Sequence, residues 1–149
     1  MMDFDELRKY QEEIYFQQIE STQEKYLKRK KVLLAEDDLV SRKMITIILD
    51  KNDFEVIAVD NGMEAVLAFQ REKFHIILMD VNMPYLDGFS ATASIRLKEK
   101  ELKCHTPIIA MTAHALNGDR EKCLESGMDD YLTKPIDFNQ VLEKIWRYV

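Results

Sequence analysis

Short apolar runs alternate with amphipathic segments along residues 31–149 of the chain. The apolar runs predict strands at Val32–Ala35, Phe54–Val59, Ile76–Met79, Ile108–Met111 and Tyr131–Leu132. The segments between and after them show helical spacing, at Leu39–Lys51, Met63–Glu72, Phe89–Lys100, Leu116–Ser126 and Phe138–Tyr148. Strict alternation of strands and helices is typical of a parallel sheet with helices on both faces. The pattern therefore predicts a three-layer, doubly wound α/β domain with a five-stranded parallel sheet.

Residues 1–30 carry a different pattern. They contain no Gly or Pro, and a thin helical stripe runs along them, formed by Phe4, Leu7, Gln11, Ile14 and Gln18. The sequence predicts a helical extension or linker at residues 1–30, followed by one domain at residues 31–149. A short dimerising helix also fits the stripe, although about two to three turns of apolar seam are marginal alone.

Composition and charge indicate one compact domain, since the 149 residues are 46% hydrophobic and 32% charged. The net charge of −6 disfavours direct DNA binding, because the phosphate backbone attracts basic surfaces. No apolar run approaches the roughly 20 residues that span a bilayer. The N-terminus is acidic where an export signal needs positive charge, and the two cysteines have no metal-binding spacing. We therefore expect a cytoplasmic protein without membrane insertion.

Polar side chains lie at the ends of four predicted strands. Glu36, Asp37 and Asp38 follow the first strand, Asp80 the third, Thr112 the fourth and Lys134 the fifth. Ligand sites of open parallel α/β sheets lie at the carboxyl ends of the strands, so these residues should meet in one crevice. Carboxylates at close quarters repel each other unless a cation lies among them. Because every candidate ligand atom is an oxygen, the pattern favours Mg²⁺.

These groups form a set that can accept a phosphoryl group. A carboxylate acts as the nucleophile, a metal ion and a lysine neutralise charge on the phosphoryl oxygens, and a threonine hydroxyl hydrogen-bonds one of them. Asp80, Lys134 and Thr112 are the candidates for the three protein roles. Asp38 is better placed to cap the helix predicted at Leu39 than to bind metal.

Five stretches of the chain resemble, in order, the motifs of response-regulator receiver domains. They are LLAEDD at 33–38, MDVNMP at 79–84, DG at 87–88, AMTAH at 110–114 and GMDDYLTKP at 127–135. The resemblance covers about residues 31–149 and implies a (βα)5 flavodoxin-like fold. The stretch Asn117–Met128 is similar to receivers of hybrid sensor kinases and phosphorelays.

The resemblance implies roles in phosphoryl chemistry. Asp80 would be the phosphoacceptor, and Thr112 and Lys134 would contact the phosphoryl group. Tyr131 would be an aromatic switch residue that moves with Thr112, although a half-buried tyrosine at a sheet edge is also common. The peptide bond between Lys134 and Pro135 would be cis.

The resemblance also implies a Mg²⁺ site. Asp37, Asp80 and the backbone carbonyl of Asn82 would bind the ion, and Glu36 would contribute through an intervening water. We further hypothesise that Asn82 and His114, each two residues beyond a site residue, flank the hydrolysing water and set the lifetime of the phosphoryl group.

The function implied is a switch that takes a phosphoryl group from a phosphohistidine of a histidine kinase or histidine phosphotransfer protein. It would catalyse its own phosphorylation and slow hydrolysis, and change the surface formed by residues 108–111, 116–126 and 131–132. Because the chain ends one helix after Lys134, we expect output through docking to an unknown target. A stand-alone regulator and a receiver of a hybrid kinase both fit. A dimer also fits, through residues 1–30 or through the face formed by residues 116–126, 131–132 and 138–148.

Other functions fit the motifs less well. A pseudo-receiver interaction module would keep an acidic cluster that costs free energy without a use. A phosphatase with an aspartyl-phosphate intermediate usually has a second acid two residues after the nucleophile, where this chain has Asn82. A nucleotide-binding domain would need a glycine-rich loop after the first strand, where this chain has acids.

Overall fold

The computed structural model of the chain describes residues 1–114, 116 and 118–149. Within them the strands are β1 at Lys30–Ala35, β2 at Phe54–Val59, β3 at Ile76–Asp80, β4 at Ile108–Thr112 and β5 at Asp130–Thr133. The helices are α1 at Phe4–Leu27, α2 at Leu39–Lys51, α3 at Gly62–Arg71, α4 at Gly88–Leu102, α5 at Asp119–Glu125 and α6 at Phe138–Tyr148.

The element boundaries differ from the predicted ones at a few points. The helix predicted at Leu116–Ser126 begins at Asp119, because Gly118 before it has a left-handed backbone with φ of +86°. Asn117, which that prediction includes, lies outside the described residues. Asp80 and Thr112 are the last residues of β3 and β4 rather than the first residues after them.

The five strands form one parallel sheet in the order β2-β1-β3-β4-β5. Side chains alternate between the two faces of the sheet. Leu33, Ile77 and Ala110 pack on one face against α3, α4 and α5. Leu34 and Leu78 pack on the other face against α2 and α6. The predicted three-layer, doubly wound, flavodoxin-like fold is therefore confirmed.

The N-terminal segment forms one helix, α1, in which no residue is buried. Asp3 and Glu6 form a capping box at its start. Just beyond its end, Arg29 folds back on the domain, and its guanidinium donates to Asp50 Oδ1 at 2.8 Å and to the backbone carbonyl of Phe54. The helical extension predicted from the sequence is present, and Arg29 joins it to the corner between α2 and β2.

Local contacts position the loops at the carboxyl edge of the sheet. Asp38 caps α2, as predicted, by accepting from the Ser41 backbone N–H at 2.8 Å. Gly88 brings the loop after β3 back against that strand, and its N–H donates to the Val81 carbonyl at 2.9 Å. A Cβ at Gly88 would collide with the backbone carbonyl of Asp80, so this close approach requires glycine.

Candidate phosphoacceptor and metal site

Three carboxylates meet at the carboxyl edge of the sheet. Glu36 and Asp37 follow β1, Asp80 ends β3, and one oxygen of each lies within 4.8 Å of the others. Glu36 and Asp80 are 0% and 2% exposed, whereas Asp37 is exposed. The strand ends therefore bring together the acidic residues that the sequence analysis singled out.

Lys134 completes this cluster from the end of β5. Its Nζ lies 3.0 Å from Asp80 Oδ2 and 3.1 Å from Glu36 Oε2. The Lys134 backbone N–H donates to the Thr112 carbonyl at 2.8 Å, which continues the pairing of β4 with β5. The Lys134–Pro135 bond is cis, as the resemblance implies.

The charges of the cluster shift each other's titration. Burial, reinforced by the charge of Glu36, raises the pKa of Asp80 to about 7 even though Lys134 acts to lower it. Burial lowers the pKa of Lys134, but hydrogen bonds and charge attraction to Asp80 and Glu36 outweigh it, so the pKa lies above its usual value. The two buried acids thus share one ammonium. A further positive charge beside them would favour the ionised form of both.

The donors fit a hard divalent cation. Asp37 and Asp80 offer carboxylate oxygens, and oxygen ligands suit Mg²⁺. Glu36 Oε1 accepts from the Asp38 N–H at 3.1 Å. Glu36 Oε2 is buried and accepts no well-oriented hydrogen bond from the described residues, although Lys134 Nζ lies nearby. A buried carboxylate oxygen that faces one lysine and accepts no well-oriented hydrogen bond is a position where a cation or its water would be stabilised further.

Thr112 is 1% exposed and its hydroxyl is turned towards α5. Its Oγ1 donates to Asp119 Oδ2 at 2.7 Å and accepts from the His114 N–H at 3.1 Å. Among the described residues, this hydroxyl forms no hydrogen bond with Asp80. Sequence reasoning missed Asp119, because an acid beside Gly118 at the start of a helix is typical of an ordinary first-turn residue.

The remaining candidates are Asn82, His114 and Tyr131, and none of them forms an ion pair in the cluster. The Asn82 N–H donates to Asp80 Oδ1 at 3.3 Å, and the side chains of Asn82 and His114 are exposed. Tyr131 is half-buried on β5 and packs against the core on the α5 side of the sheet. Arg120 and Lys144 lie over its ring, 5.5 Å and 5.1 Å from the centroid.

None of the helices in the described part of the chain has both the length and the apolar character that crossing a membrane requires.

Known proteins are similar to this chain in sequence. The family described as response regulator receiver domain matches residues 32–146. The chain is 44% identical over 120 residues to hybrid signal transduction histidine kinase I of Dictyostelium discoideum, covering 77% of this chain. It is 41% identical over 119 residues to the sensor protein GacS of Pseudomonas syringae pv. syringae, covering 79% of this chain. The aligned stretches are 7% and 13% of those proteins, so the chain spans a small part of each.

Solved structures show the same fold. The receiver domain of a sensor histidine kinase of Pseudomonas aeruginosa PAO1, with magnesium in its active-site cleft, is 41% identical with a TM-score of 0.74. The match covers 80% of this chain and 97% of that one. A second match is the co-crystal structure of a Saccharomyces cerevisiae histidine phosphotransfer protein with the receiver domain of its response regulator, at 32% identity and a TM-score of 0.75. It covers 80% of this chain and 88% of that one.

The family match, the motifs at the strand ends and the acidic cluster agree, and the chain belongs to the response regulator receiver domain family, with hybrid sensor histidine kinases among its similar relatives.

Proposed function

We propose that this receiver domain is a phosphoacceptor switch that takes a phosphoryl group onto Asp80 with the help of Mg²⁺. The observation that carries the proposal is the position of Lys134, whose ammonium contacts both Asp80 and Glu36 beside the exposed carboxylate of Asp37. A nucleophile, a fixed cation and an oxygen donor set for a metal thus lie within one small cluster.

The reaction follows from these positions. An Asp80 oxygen attacks the phosphorus of a phosphohistidine, the P–N bond breaks, and the imidazole nitrogen leaves with the bonding pair and takes up a proton. Lys134 Nζ, 3.0 Å from Asp80 Oδ2, lies where it can offset the charge on the phosphoryl oxygens. Mg²⁺ held by Asp37 and Asp80, with the Asn82 carbonyl and Glu36 in support, would supply the remaining positive charge.

The donor is a histidine kinase or a histidine phosphotransfer protein. An exposed apolar stripe begins in the first turn of α2, just after Asp37. It consists of Val40, Met44 and Ile47, which are 65%, 45% and 53% exposed. Exposed apolar groups beside a charged site are suited to partner docking. The co-crystal structure of a yeast phosphotransfer protein with a receiver supports a partner of this class.

Phosphorylation would act by shifting a population between two states of the domain. Thr112 and Tyr131 are the residues we expect to rearrange, and the surface formed by β4, α5 and β5 is the one we expect to change. Asn82 and His114 have exposed side chains, and their backbone N–H groups donate to Asp80 and Thr112. We propose that they set the lifetime of the acyl phosphate.

The proposal is tested with phosphoramidate, a small donor that carries the same kind of P–N bond as phosphohistidine. Intact-mass spectrometry should show one added phosphoryl group per chain with Mg²⁺ and almost none with EDTA. Labelling that proceeds equally in EDTA contradicts the role of Mg²⁺. No labelling of folded protein contradicts the phosphoacceptor function and favours a pseudo-receiver.

A further inference from the structure

The single proton of the Thr112 hydroxyl is already donated in this structure. The hydroxyl donates to Asp119 Oδ2 at 2.7 Å and accepts from the His114 N–H at 3.1 Å. A threonine hydroxyl carries one proton, so it cannot donate to Asp119 and to a phosphoryl oxygen on Asp80 at the same time. Any state in which Thr112 binds the phosphoryl group must therefore break the bond to Asp119.

The next residue of the same helical turn contacts the other expected switch residue. Arg120 lies over the Tyr131 ring, with its guanidinium carbon 5.5 Å from the ring centroid. Consecutive residues at the start of α5 thus contact Thr112 and Tyr131, which lie on neighbouring strands. A change at Thr112 has a direct route through this turn to Tyr131.

Helix α5 has few other anchors. It spans seven residues, Cys123 is its one buried residue, and Gly118 before it provides no side-chain cap. The bond from Thr112 to Asp119 is consequently a large part of what holds the first turn of α5 in place. This turn also belongs to the surface expected to change on phosphorylation.

We propose that Asp119 is a positioning residue that holds Thr112 in the unphosphorylated orientation. When Asp80 is phosphorylated, the Thr112 hydroxyl stops donating to Asp119 and donates to a phosphoryl oxygen instead. The first turn of α5, including Arg120, is then released from Thr112. This inference rests on the proposed phosphoacceptor function and adds to it the contact that opposes the switched state.

The test compares phosphorylation rates of the full chain with acetyl phosphate and Mg²⁺. Asp119→Ala removes the acceptor and should raise the rate by about three- to tenfold, the size expected for loss of one hydrogen bond. Asp119→Asn keeps an acceptor oxygen and should fall between wild type and Asp119→Ala. Glu121→Ala is the matched control, because it removes the other acid of the same turn, and it should leave the rate unchanged.

A double-mutant comparison separates positioning from a general effect on α5. In a Thr112→Val background, Asp119→Ala should no longer change the rate, because the bond is already absent. An equal increase in that background, or an unchanged rate for Asp119→Ala alone, overturns the inference while leaving the phosphoacceptor function intact. Wild-type protein that takes up no phosphoryl group overturns both.

Discussion

The ammonium of Lys134 lies 3.0 Å from Asp80 Oδ2, although β4 separates β3, which ends at Asp80, from β5. Lys134 reaches over the end of β4 to do so, and it also contacts Glu36 at the end of β1. One side chain thus links the two buried acids at the edge of the sheet.

Replacing this lysine should affect the chemistry more than the fold. Lys134→Met removes the positive charge that faces the attacking oxygen, and we expect phosphorylation by acetyl phosphate to slow by about tenfold or more. Lys98→Met, a partly exposed lysine of α4, is the control and should label at the wild-type rate. Equal labelling rates for the two variants would show that Lys134 has no part in phosphoryl transfer.

The acidic pair after β1 allows a matched test of metal binding. Asp37→Asn removes a ligand charge and should weaken Mg²⁺ binding by about tenfold or more, measured by calorimetric titration. Asp38→Asn should keep the wild-type affinity, because Asp38 caps α2 and Asn is an equally good cap. A larger loss for Asp38→Asn than for Asp37→Asn would reverse our assignment.

The raised pKa of Asp80 has a consequence for stability without metal. The pKa of Asp80 is about 7 in the fold against an ordinary value of 3.8. At pH values between these two, the folded state therefore binds more protons than the unfolded state. The free energy of unfolding in EDTA should therefore fall as pH rises through this window. Asp80→Asn removes this dependence.

At about pH 8 in EDTA, Asp80→Asn should be more stable than wild type by on the order of 2 kcal/mol, with a much smaller difference near pH 4. Urea denaturation at the two pH values measures this. Mg²⁺ should reduce the difference at high pH by stabilising wild type. If Asp80→Asn were less stable than wild type at high pH in EDTA, the ionised carboxylate of Asp80 would not destabilise the fold.

Arg29, rather than α1, should contribute to the stability of the domain. Removing residues 1–27 takes away a helix with no buried residue and should change the free energy of unfolding by less than about 0.5 kcal/mol. Arg29→Ala breaks the bonds to Asp50 and Phe54 and should cost about 1–3 kcal/mol. The solution mass of the truncated chain also tests the dimer: an unchanged number of subunits removes α1 as a dimerising element.

Much of the fold and the site follows from local rules. The alternation of apolar runs and helical segments predicts the layers, because a parallel sheet must be covered on both faces. Asp80 and Lys134 could be placed in one crevice because the carboxyl ends of parallel strands share one edge. Asp38 could be assigned as a cap because its position before Leu39 decides its hydrogen bond.

Contacts between side chains on different elements could not be predicted in this way. The bond from Thr112 to Asp119 depends on the path of the chain between β4 and α5 and on the rotamers of both side chains. Arg29 belongs by sequence to the polar extension, yet it packs on the domain because the corner between α2 and β2 offers carbonyl and carboxylate acceptors. Neither contact produces a periodic pattern of apolar and polar residues in the sequence.

The most direct test of the account is to locate the phosphoryl group after treatment with acetyl phosphate and Mg²⁺. Wild type and Asp53→Asn, which changes an exposed acid in the turn before β2, should each gain one group, and borohydride reduction followed by peptide mass spectrometry should place it on Asp80. Asp80→Asn, folded to the same extent, should gain none. A phosphoryl group on another residue, or equal labelling of Asp80→Asn, would contradict the central claim.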